Sequence, residues 1–123
     1  MKKPSLQSQS VAELIAAYER IGIEQYDAIE DDKISLYNKI YKLQRDIMNE
    51  LIFRGFDARA QITKFLDHPN IQVRVHAAID SLVVAPEAAR AVLEEIWLSR
   101  IGPQCIDAGF IIIGLDDGSF IPK

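Results

Sequence analysis

Between Ile34 and Ile52, ten apolar residues recur at helical spacing: Ile34, Leu36, Tyr37, Ile40, Tyr41, Leu43, Ile47, Met48, Leu51 and Ile52. They cover about half of a helix circumference, and a stripe that wide must touch neighbours on two sides. Ser35, Asn38, Lys39, Lys42, Arg45, Asp46 and Asn49 fill the opposite side. A chain with such a segment has to fold as an assembly of helices. Asp31 or Asp32 is expected to cap this helix, which should end near Arg54 ahead of Gly55. Before it, Ser10 and Glu13 form a capping box, and Val11, Leu14, Ile15, Tyr18, Ile21, Gly22, Tyr26 and Ile29 share one face. That spacing predicts a first helix to about Ile29.

Downstream, Asp57 is expected to cap a short third helix carrying Ala58, Ile62, Phe65 and Leu66. Pro69 disfavours the helical conformation at His68, and Asn70 can cap a fourth helix running to about Val84. Pro86 suits the first turn of a fifth helix, and Gly102-Pro103 breaks it. The last segment, Pro103 to Leu115, is apolar almost all round; its β-branched run leaves helix and strand both open. With no period-two alternation, these connectors predict an all-α fold of antiparallel helix pairs. With 123 residues, a flexible arm over 1–9 and a single helical domain over 10–123 are expected.

Acidic residues outnumber basic ones, 18 to 14, for a net charge of −4, which disfavours phosphate backbones. The basic positions are dispersed among acids, so no nucleic-acid track forms. One cysteine, Cys105, can form no internal disulfide, and Ser5 to Ser10 is polar where a leader needs an apolar stretch. The run from Phe110 to Leu115 is too short to span a bilayer. A soluble cytoplasmic protein is the expectation.

The stretch from Ile62 to Leu82 resembles a HEAT-type helical repeat, of the armadillo-like class. In that pattern a helix ends in a Leu-Leu-like pair, an acidic-Pro turn follows, and Val-Arg opens a second helix bearing Ala-Ala and Leu. Phe65-Leu66, Asp67 with Pro69, Val73-Arg74, Ala77-Ala78 and Leu82 match in order and spacing. His68 stands where the family has an acid directly before the proline. Small Ala77 and Ala78 let paired helices approach closely, and Arg74 is expected to hold the turn or a neighbouring acid. The chain looks like one of the small bacterial families of HEAT-like domains. The resemblance implies a short right-handed α-α superhelix of stacked pairs that binds another protein.

Candidate chemistry is sparse. His76 and Asp80 sit at i and i+4, but third and fourth metal ligands are missing nearby, so a helix-surface pair is expected. Cys105 reads as a packed structural thiol, and the carboxylate pairs as solvated charge. Tyr18, Tyr26, Tyr37 and Tyr41 read as core residues. No catalytic residue, cofactor or metal site is expected. The function expected is a non-catalytic protein-interaction module, adaptor-like or immunity-like toward a basic partner. A nucleic-acid enzyme such as a DNA glycosylase, which some HEAT-like folds are, stands as the alternative. Phe110, Ile111, Ile113 and Leu115 are the candidate interface of a homodimer; a fold-back cap by Ser119 to Pro122 or a buried strand competes with it.

Overall fold

The computed structural model describes residues 5–123. Among them the chain is all-α, with six helices and no strand: α1 (Val11–Glu30), α2 (Ile34–Phe53), α3 (Phe56–Ala60), α4 (Ile71–Asp80), α5 (Pro86–Ser99) and α6 (Gly102–Asp117). Two short 3-10 segments, Leu6–Ser8 and Gln61–Phe65, complete it. The chain divides into two compact units, the first ending at Gln61 and the second running from Ile62.

In the first unit the Ser10 hydroxyl accepts from the Glu13 N–H, and the Glu13 carboxylate accepts from the Ser10 N–H, closing the capping box of α1. These bonds hold the Glu13 carboxyl below its ordinary value. α1 and α2 pack along each other, burying Leu14, Tyr18, Ile47, Met48 and Leu51. Wholly buried with them are Gln25 and Gln44. Of the arm expected over residues 1–9, residues 1–4 lie outside the described residues. From Ser5 on the segment is tied down: the 3-10 turn meets α2, and Arg54 donates to the carbonyls of Leu6 at 2.9 Å and Gln7 at 3.3 Å while pairing with Glu50 at 2.8 Å.

Three local expectations are corrected. α2 starts at Ile34 with Lys33 at its cap, because Asp32 takes a left-handed conformation (φ 57°) and cannot offer a capping oxygen to the first turn. The short third helix is capped by Gly55 (φ 110°) instead of Asp57, which lies inside its first turn. Half of the wide α2 stripe is exposed, including Ile34, Leu36, Tyr41 and Leu43, since within its unit α2 has only one long partner helix.

The second unit is built on α4, α5 and α6, each packed on the other two. Its core holds Val75, Ala78, Leu82, Ala89, Leu93, Ile96, Ala108 and Ile112. α4 ends at Asp80, short of the expected Val84, and the chain turns before Pro86 starts α5. The last segment is a helix throughout: Pro103 sits in its first turn and Gly118 (φ 81°) ends it. The Trp97 ring rests on Gly109, where an added Cβ would lie 2.9 Å from Cδ1 and Nε1. Gly109→Ala is therefore expected to destabilise despite a helix-propensity gain of about 1 kcal/mol. In a Trp97→Ala background the same change should recover that gain, which thermal melts of the four-protein cycle would read.

Candidate protein-interaction face

α6 separates its residues cleanly. Ala108 and Ile112 enter the core, while Ile111 and Leu115 are half-buried and packed against it together with Phe120. Phe120 folds back after Gly118, its N–H donating to the Gly114 carbonyl at 3.0 Å. Ile106, Phe110 and Ile113 remain 58%, 70% and 56% exposed. Spaced i, i+4 and i+7, they form one apolar line on the outward face of the helix. Of the four residues read as a candidate interface, Phe110 and Ile113 thus face outward and Ile111 and Leu115 turn toward the core.

Sequence periodicity missed the rest of this surface. Leu98 near the end of α5 and Ile101 just after it are also exposed, and Trp97 keeps its outer side open with the Arg100 guanidinium 5.4 Å from its ring. The legible signal was Gly109, which gives the indole a seat beside the line. An exposed ion-pair group links α5 to α6: Arg90 on α5 donates to both Asp116 carboxylate oxygens on α6, at 2.7 and 3.1 Å, and to Glu94 at 2.8 Å. The Arg90 contact keeps the Asp116 carboxyl below its ordinary value. Asp107 follows Ile106 on the exposed side of α6, and desolvation raises its carboxyl. The chemistry this face offers is apolar side chains beside an acid.

The repeat-motif residues converge on the start of α4. The Asn70 side chain caps it by accepting from the Gln72 and Val73 N–H groups at 2.9 and 3.2 Å. Arg74 Nη1 donates to the His68 carbonyl at 2.9 Å, spanning the Asp67 to Pro69 turn. His68 Nδ1 accepts from the Asn70 N–H at 3.0 Å. Val73, Ala77 and Ala78 are wholly buried, Leu82 nearly so, Leu66 partly, while Asp67 and Pro69 are exposed. Arg74→Ala is expected to lower the melting temperature, losing about 1–2 kcal/mol through the missing turn bond and stem packing.

His76 and Asp80 are buried and not a surface pair. Cys105 is buried, its thiol donating to the Gly102 carbonyl at 3.2 Å. Tyr18 is core, whereas Tyr41 is exposed, 6.3 Å from the Tyr37 ring and with Arg45 over its face. Among the described residues no group of three or more His, Cys, Asp or Glu could hold a metal ion, and no helix is long and apolar enough to cross a membrane.

A family model described as Domain of unknown function (DUF2019) matches residues 12–116. The chain belongs to the DUF2019 family. The DUF2019 chain is also similar to a solved structure described as the crystal structure of the protein RPA1889 from Rhodopseudomonas palustris CGA009. Identity is 38% over 98% of this chain and 100% of that one, with a TM-score of 0.93. No curated protein matches. The Arg74 turn and the apolar line from Ile106 to Ile113 both fall inside the DUF2019 span.

Proposed function

We propose that this chain is a non-catalytic protein-protein interaction module of HEAT-like type, adaptor-like or immunity-like, that binds its partner through the outward face of α6. The observation that carries the reading is the exposed line of Ile106, Phe110 and Ile113 on a helix whose other sides are packed. Covering each of these side chains would contribute roughly 1–2 kcal/mol, and soluble chains rarely leave such a line uncovered. The HEAT-like character is supported by the Asp67 to Pro69 turn spanned by Arg74 and by the buried Ala77-Ala78 pair. Asp107 on α6 and the net charge of −4 suit a partner with basic residues around an apolar contact.

Phe110→Asp is expected to weaken partner binding by at least about 30-fold, the loss of a central aromatic anchor. Because Phe110 is exposed, the variant should melt like the wild type. Capture from a bacterial cytosol by wild type and variant, with sedimentation of both, tests the reading. A partner retained by the wild type and lost by the variant, or a wild-type homodimer that the variant breaks, supports it. A monomer whose captured proteins are unchanged by Phe110→Asp overturns it.

A further inference from the structure

The second unit holds a second feature, apart from the α6 face: a cleft of about 550 Å³ between the turn that precedes α4 and the outer side of α5. The volume lies within the range of small-molecule sites. Its apolar lining is Leu66 from the turn with Ala88 and Val92 from α5. Thr63 and four charged side chains complete it: Lys64, Asp67, Arg74 and Glu95. Ala88, Val92 and Glu95 stand at i, i+4 and i+7, so α5 presents two apolar positions and then a carboxylate along one edge.

The charges of this cleft are not spent on one another. Arg74 uses Nη1 on the His68 carbonyl, while its Nε is buried with no acceptor. The Lys64 ammonium lies 5.4 Å from the Phe65 ring centroid, and neither it nor Arg74 forms an ion pair with Asp67 or Glu95 among the described residues. Arg74 and Lys64 both line the cleft, and cationic donors with no ion-pair partner among the described residues offer charge-assisted hydrogen bonds to an incoming carboxylate. A simple anion would also meet Asp67 and Glu95, and a simple cation would meet Lys64 and Arg74. A ligand carrying both charges is attracted by both pairs.

We propose that this cleft binds a zwitterionic aliphatic amino acid. Its carboxylate takes the Arg74 and Lys64 donors, its ammonium donates to Asp67 and Glu95, and its side chain lies over Leu66, Ala88 and Val92. Free leucine is the probe, titrated into the full-length protein labelled with nitrogen-15. Saturable shifts in the amide signals of Lys64, Asp67, Arg74 and Glu95 are expected. N-acetyl-leucine and leucine methyl ester, which each lack one charge, should bind at least about tenfold more weakly, as should glycine, which lacks the side chain. Glu95→Gln should weaken leucine about tenfold with the melting temperature unchanged, and narrow the difference between leucine and its N-acetyl form. Absence of saturable shifts with leucine, valine, isoleucine and methionine overturns the proposal. So does N-acetyl-leucine or glycine binding as tightly as leucine.

Discussion

Ala78→Leu is expected to remove about 1–3 kcal/mol of stability, lowering the melting temperature by several degrees. Ala78 has no exposed surface and lies in the core of the second unit with Val75, Leu82, Leu93 and Ile96. α4 is only ten residues long and packs on both α5 and α6, so a larger side chain must displace one of them. Ala91→Leu on the exposed side of α5 is the control, expected within about 0.5 kcal/mol of wild type. Denaturant melts of both variants decide the matter. Equal stability for Ala78→Leu would refute close helix contact at this position.

Gln104→Leu should cost about as much by a different route. The Gln104 amide donates to the Gln72 carbonyl oxygen at 2.8 Å, tying α6 to α4, and both side chains are 1% exposed. Removing one partner leaves a buried amide oxygen short of a donor, a loss of about 1–3 kcal/mol, whereas replacing both partners with apolar groups is close to neutral. The double change Gln72→Leu with Gln104→Leu is therefore expected to recover part of the loss. A Gln104→Leu variant as stable as wild type would show that the amide pair contributes nothing.

Where the chain starts and stops its helices was largely legible. The Ser10 capping box, the Asn70 cap, Pro86 in the first turn of α5 and Gly102-Pro103 at the start of α6 all act through bonds or torsions within a few residues, so neighbouring letters suffice to read them. Errors fell where a second local solution existed. Asp32 with φ 57° and Gly55 with φ 110° chose conformations that moved the caps of α2 and α3 away from the expected aspartates.

The candidate face was only half legible. Periodicity marks Ile106, Phe110, Ile111, Ile112, Ile113 and Leu115 as apolar but does not say which of them finds a partner. Only the placement of α4 and α5 sends Ile112 into the core, leaves Ile111 and Leu115 half-buried against it and puts Phe110 outside. Four buried glutamines make the converse case. Gln25, Gln44, Gln72 and Gln104 carry a polar letter, yet each is at most 1% exposed. Helix formation in this chain follows from short-range hydrogen bonding and a 3.6-residue period, which neighbouring residues encode. Which side of each helix is covered depends on neighbours distant in sequence, whose positions no local pattern records.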